Sequence, residues 1–186
     1  MPFVSRGGEK LDHALRTFGI DPAGKICADF GSSTGGFVDC WIQHGAVKVY
    51  AVETGYGLLE WKLRNDERIV VMERTNAMHV KLPERVPFIS IDTSWTKIKN
   101  VVPNAFENLT EDGSIIVLVK PHYEAGPKLL RKGKLPPEAL PLVLEEAEQA
   151  AKDAGAKIIA KSPSPITGEK AGNTEYLLWL KRAACK

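Results

Sequence analysis

ADFGSSTGG, residues 28–36, follows the apolar pair Ile26–Cys27 and precedes the helical pattern FVDCWIQHG. It reads as the tip of a buried strand that turns sharply into a helix, the kind of βα turn at which α/β proteins hold nucleotides. A dinucleotide fingerprint has the spacing GxGxxG. Here the glycines are spaced differently and an acid, Asp29, stands ahead of the first of them. A carboxylate at that position repels a pyrophosphate. It suits a cationic ligand carrying an amino group and a sulfonium, and S-adenosylmethionine is such a ligand. Gly31, Gly35 and Gly36 would let the backbone approach it closely. The bland alternative is a tight connection that binds nothing, for which three glycines are costly in chain entropy.

Outward from this turn, apolar runs alternate with helical patterns. Leu11, Ala14, Leu15 and Phe18 recur at helical spacing, and Gly19 is placed to end that first helix within the region 1–20. KICADF leads to a helix from Gly35 to His44, and VKVYAVE leads to a helix in LLEWKLRND. RIVVME, PFISID with a helix near 97–109, and SIIVLVK follow. A long helix opens at Pro136–Pro137 and closes at Gly155. The tail holds AKIIAK and EYLLWLK, joined by SPSPITGEKAGN. A helix, repeated βα units and a closing strand–loop–strand predict a doubly wound α/β domain. Its sheet is mostly parallel and turns antiparallel at the end of the chain. Residues 121–137, with YEAGPKLLRKGKLPP, read as a flexible basic loop.

The bulk properties narrow the class. A chain of 186 residues, 44% hydrophobic and 26% charged, is expected to form one folded domain, 1–186, rather than a disordered polymer. A net charge of +2 permits a nucleic-acid partner without requiring one. Cys27, Cys40 and Cys185 form no CxxC pair and leave an odd thiol, which fits a reduced, cytoplasmic setting. The polar start MPFVSRGGEK is no secretory signal, and no apolar run reaches the length of a membrane span.

Charged residues at strand tips are the candidates for chemistry. Glu53 ends the second strand, where a carboxylate accepts both hydroxyls of a ribose, in nicotinamide and S-adenosylmethionine enzymes alike. The turn ERTNA, with Asn76, ends the third strand and is a candidate adenine contact. Asp92 follows PFISI and Lys120 follows SIIVLV. A lysine directly after an apolar run starts poorly solvated, which disfavours its ammonium form and makes it a usable base. Lys10 on the first helix and Glu175, opening the last strand, are also candidates for that edge. Two lysines and two carboxylates around one pocket form a device for deprotonating an alcohol that attacks a methyl sulfonium. Singly, each has a bland reading: a solvated lysine or a loop-capping acid.

Other residues divide between binding and packing. Trp95, beside Asp92, either stacks on a base or packs. Lys128, Arg131, Lys132 and Lys134 make their loop cationic, for phosphate contact or simple solvation. Cys40 and His44 are four apart, a metal-binding spacing, yet they lack a second pair, so core packing is the expectation and no metal is assigned. His13, His79 and His122 stand isolated; Trp41, Trp61 and Trp179 sit among apolar neighbours and read as core.

The motifs SRGGEKL, DFGSSTGGFVDC, AVETGYG, WKLRND, ERTNA, LVKPHYEAG, SPSPITG and GNTEYLLWL, in that order from Ser5 to Leu180, resemble the FtsJ-type ribosomal RNA 2′-O-methyltransferases, and within them the TlyA (hemolysin A-like) branch. The resemblance implies a Rossmann-like sheet of seven strands with an antiparallel last strand, S-adenosylmethionine as cofactor and ribosomal RNA as partner. It implies a catalytic Lys–Asp–Lys–Glu tetrad at Lys10, Asp92, Lys120 and Glu175, with Lys120 as base. Cofactor contacts are implied at Asp29, Gly31, Ser32, Thr34, Gly35, Gly36 and Glu53, and Asn76 and Asp92 are expected to join them. Arg6, Trp95, Lys128, Arg131 and Lys132 are the expected RNA contacts. The chain departs from the family in three ways. It starts almost at SRGG, where the branch carries a small RNA-binding domain, so that domain is expected to be missing. IDTSWTKI stands where D-V-S-F-I-S-L is usual. Glu53 stands where aspartate is common. The rival readings are a non-catalytic module that grips RNA or cofactor, a hemolysin-like protein, and a nicotinamide-dependent dehydrogenase that the missing GxGxxG disfavours.

Overall fold

A computed structural model describes residues 2–168 and 172–184. Its strands are β1 (Ile26–Phe30), β2 (Lys48–Val52), β3 (Ile69–Met72), β4 (Val86–Ile91), β5 (Leu109–Val119), β6 (Ala156–Pro163) and β7 (Tyr176–Arg182). They form one seven-stranded sheet in the order β3-β2-β1-β4-β5-β7-β6. The pairs from β3 to β5 are all parallel, while β7 runs antiparallel to both of its neighbours, β5 and β6. Both the parallel sheet and the reversed last strand match the expectation.

Helices cover both faces. α1 (Gly7–Phe18) and α2 (Gly36–Gln43) pack on one side, α4 (Ile98–Asn108) and α6 (Leu140–Asp153) on the other, with single turns α3 (Trp61–Arg64) and α5 (Pro121–Glu124) near the edge. Because successive strand residues face opposite ways, each central strand feeds two cores. In β5, Ile115, Val117 and Val119 join the α4/α6 core, while Ile116 and Leu118 join the α1/α2 core. This double burial is why these strands read as unbroken apolar runs.

The switch point lies between β1 and β4, so a crevice opens beyond their carboxyl ends. The reversal of β7 has a consequence there. An antiparallel strand begins where its neighbours end, so the residue before Tyr176 is delivered to the same edge as the tips of β1, β4 and β5.

Local expectations needed correction where tertiary contacts outweigh pattern. LLEWKLRND holds only the four-residue turn α3, because residues 55–60 are held as a loop: the Glu73 carboxylate accepts the Gly57 N–H and pairs with Arg64. On so short a helix only Leu63 reaches the core, and Trp61, expected inside, is 72% exposed. Trp41 is fully buried as expected; Trp179 is half-buried against Phe18. Strand β5 starts at Leu109, well before SIIVLV, because Leu109 pairs with Val86 ahead of a bulge. The long helix begins at Leu140, after a 3-10 turn at Pro137–Ala139. Gly19 caps α1 with φ 66°, as its position predicted. Cys185 lies outside the described residues, as does part of SPSPITGEKAGN.

Candidate active site

Lys10 reaches the sheet edge from the fourth residue of α1, a helix whose start is pressed against α2. A Cβ on Gly36 would collide with Ser5 and the Gly7–Gly8 backbone, and one on Gly8 would collide with the Phe3 ring. Gly36 therefore lets the two helix starts meet, and Gly8 makes room for the Phe3 ring. From there Lys10 Nζ donates to Glu175 Oε2 at 2.6 Å, with both side chains nearly sealed from water. Glu175 stands just ahead of β7 rather than within it. Lys120 and Asp92 form the second pair, Nζ to Oδ1 at 2.5 Å, at the tips of β5 and β4.

Both pairs line one cleft of about 630 Å³, a volume in the range of small-molecule sites. Asp29, Gly31, Ser32, Thr34 and Gly36 line it from the β1 turn; Arg6, Trp95 and Lys132 line it from the solvent side. Asp29 is the most unusual wall. It is 1% exposed, and its Oδ1 accepts from Ser90 Oγ at 2.6 Å, while Ser90 in turn accepts from Trp41 Nε1 at 2.8 Å. Oδ2 is buried and has no hydrogen-bond partner among the described residues. Burial, with the neighbouring charges of Asp92 and Glu53, outweighs the Ser90 bond and pushes the carboxyl up to about 8. Asp29 thus lines the cleft with a carboxylate oxygen left over.

The turn glycines are explained by protein contacts. Gly31 has φ 91°, and a Cβ there would sit 2.6 Å from the Asp92 carbonyl oxygen, so the tips of β1 and β4 meet at this point. Gly35, at φ 102°, makes room for Leu59 and Leu63 and does not line the cleft. Glu53 lies outside the lining; its carboxylate accepts the N–H groups of Ser33 and Gly55, at 2.9 and 2.8 Å, and binds the turn from behind. Asn76 is also outside, accepting the Met78 N–H at 2.9 Å. Arg6 donates to the Thr167 carbonyl at 2.8 Å.

In the basic stretch, Arg131 and Lys134 exchange backbone hydrogen bonds around Lys132 (φ 51°) and Gly133 (φ 76°), a two-residue hairpin turn with both central residues left-handed. Asn173 ties this hairpin down, donating to the Gly133 carbonyl and accepting the Leu135 N–H. Lys132 reaches the cleft; Lys128 and Arg131 do not line it. Sequence reasoning missed Asn173, Tyr123 and Ser5 as parts of this site. It left His122 without a role, although His122 lines the cleft and desolvation lowers its pKa. The signal available for Asn173 was its place two residues before Glu175. On the opposite face of α1, Asp12 accepts from His44 Nε2 at 2.8 Å beside Cys40, a third donor group that spacing along α2 does not reveal.

A parallel sheet with a switch-point cleft, closed by an antiparallel seventh strand, is the fold of the Rossmann-like methyltransferases. The family model for the FtsJ-like methyltransferase matches residues 3–182. The chain is 39% identical to hemolysin A of Brachyspira hyodysenteriae over 181 residues, covering 94% of this chain and 75% of that protein. It is 38% identical over 185 residues to the 16S/23S rRNA (cytidine-2′-O)-methyltransferase TlyA of Mycobacterium tuberculosis, covering 96% and 68%. A solved structure carrying the hemolysin name, from Streptococcus thermophilus, superposes with a TM-score of 0.94 at 36% identity, over 98% of this chain and 68% of the other. This chain belongs to the FtsJ-like methyltransferase family. Among the described residues no helix is long and apolar enough to cross a membrane.

Proposed function

We propose that this chain is one methyltransferase domain that uses S-adenosylmethionine to methylate a ribose 2′-hydroxyl of ribosomal RNA. The observation that carries the reading is the convergence of two lysine–carboxylate pairs, Lys10–Glu175 and Asp92–Lys120, on one cleft beside the β1 turn. The likeness to TlyA, named for cytidine 2′-O-methylation, supports the substrate class.

Each residue then has work that follows from its place. Asp29, with its free Oδ2, takes the ammonium of the cofactor, and Gly31, Ser32, Thr34 and Gly36 supply the backbone walls. Glu53 shapes the turn by holding Ser33, and it is the acid available to a ribose. S-adenosylmethionine, when bound, supplies an electrophilic methyl on sulfur. Lys120 would take the proton of the 2′-hydroxyl, so that the oxygen could bond to the methyl carbon as the carbon–sulfur bond breaks and its electron pair stays with the departing thioether. Asp92, 2.5 Å from that amine, orients it. Lys10 and Glu175 fix the opposite wall. Arg6, Trp95 and Lys132 face the incoming RNA, and Lys128 and Arg131 add positive charge to the approach.

The test is methyl transfer to ribosomal RNA or ribosomal subunits, mapped by mass spectrometry. Lys120→Ala is expected to lower the rate by roughly a hundredfold or more, the low end of general-base catalysis. Parental rates in Lys120→Ala would refute its role as base.

A further inference from the structure

Asp92 and Lys120 stand beyond the last ladder pair of β4 and β5, Ile91 with Val117. Past that pair β4 and β5 no longer pair with each other, and each tip is tied instead to its other neighbour, Asp92 N–H to the Phe30 carbonyl and Val119 to Tyr176. Each is followed by a short irregular stretch, residues 93–97 leading into α4 and residues 121–124 forming α5. Glu124 joins the two. Its Oε1 accepts the N–H of Ile98, the first residue of α4, at 2.8 Å. Its backbone carbonyl accepts Lys97 Nζ at 2.7 Å, and its own N–H donates to the Lys120 carbonyl at 3.2 Å. The rings of Trp95 and Tyr123 meet across the same gap, with centroids 4.6 Å apart.

These contacts close a circuit. It runs from Asp92 along the chain to Ile98, across to Glu124, back through α5 to Lys120, and over the ion contact to Asp92. A helix N-terminus is ordinarily capped by a neighbouring serine, threonine or aspartate. At α4 the residue in that place is Lys97, whose side chain makes no such cap. The acceptor comes instead from 26 residues away, on α5, the turn that follows Lys120. Burial raises the pKa of this carboxyl, so a water-facing position would suit it better were its purpose only charge.

We propose that Glu124 is a positioning residue that sets the Asp92–Lys120 contact by clamping the β4 and β5 loops to each other. The clamp itself is independent of the function proposed above; its effect on turnover rests on that reading.

The experiment compares wild type, Glu124→Ala and Glu124→Gln by amide hydrogen exchange over residues 93–98, by calorimetric binding of S-adenosylmethionine, and by single-turnover methyl transfer to ribosomal RNA. Glutamine retains an acceptor oxygen and alanine does not. Glu124→Ala is expected to speed exchange at Ile98 and slow transfer by roughly tenfold each, the scale of a lost hydrogen bond to a charged group. Cofactor affinity is expected to stay within about twofold and Glu124→Gln within about threefold of wild type, since the acceptor is kept. Unchanged exchange at Ile98 in the alanine variant overturns the clamp. Faster exchange with unchanged transfer overturns the positioning role, and so does an equal loss in the glutamine variant. A wild-type chain that methylates no RNA sinks the functional reading, while the exchange arm still decides the clamp.

Discussion

Replacing Asp29 with asparagine should change how stability depends on pH. Asp29 is 1% exposed and its carboxyl stands at about 8, against an ordinary 3.8. The folded chain therefore favours the protonated form. That contribution is complete below about pH 4, and it is lost as pH climbs toward 8, where the folded protein must at last carry the buried charge. The full span is on the order of 5–6 kcal/mol, of which about 3 kcal/mol falls between pH 6 and pH 9. Asparagine keeps an oxygen to accept from Ser90 but never ionises. Guanidinium unfolding at pH 6, 7.5 and 9 should show wild type losing about 3 kcal/mol relative to Asp29→Asn across that range. The difference between the two chains cancels every other titrating group. Parallel stability curves would mean that Asp29 is already ionised at pH 6, and would refute both the burial-raised carboxyl and the proton release on ligand capture. The same logic reaches the ligand: capture of an ammonium at neutral pH should release a proton. The binding heat of S-adenosylmethionine near pH 7 should then vary with the ionisation enthalpy of the buffer, and the variation should vanish in Asp29→Asn.

Lys10→Met strands the Glu175 carboxylate, 3% exposed, without its cation; unfolding midpoints should report a loss of about 3–5 kcal/mol, recovered in part by adding Glu175→Gln. An unchanged midpoint would show that Glu175 is solvated. Gly31→Ala must adopt φ 91° and intrude on the Asp92 carbonyl, so denaturation should report a loss of about 2 kcal/mol or more, together with weaker cofactor binding. Lys132→Ala should reduce the steepness of the salt dependence of RNA binding by about one, as expected for one phosphate contact. An unaltered slope in a filter-binding titration would place Lys132 away from the RNA backbone.

Much of the fold was legible because it is locally encoded. The strand runs, the turn at Gly31–Gly36 and the stop at Gly19 depend on residues near in the chain. The errors arose where distant contacts decide. LLEWKLRND has a helical pattern, but the Glu73 carboxylate, brought in by β3, holds the preceding loop open and leaves Trp61 in solvent. Leu109–Gly113 lacks a strand-like pattern, and it is extended because β4 supplies a partner in Val86. At the site, the residue types were readable and their company was not. Glu53 and Asn76 stand at strand tips as read, and the structure adds that Glu53 also accepts the N–H groups of Ser33 and Gly55 and Asn76 that of Met78.

By itself, then, the sequence determined the βα repeat, the position of the glycine turn and the set of charges offered to the sheet edge, because apolar periodicity and glycine dihedrals act over a few residues. Tertiary structure alone decided that β7 slots between β5 and β6, which brings Glu175 to Lys10 across 165 residues of chain. It also decided that Asp29 is sealed with one oxygen left over. Hydrophobic patterning says that a strand is buried and not which strand lies beside it. A carboxylate's environment is set by those neighbours, so its chemistry appears only once the sheet has closed around it.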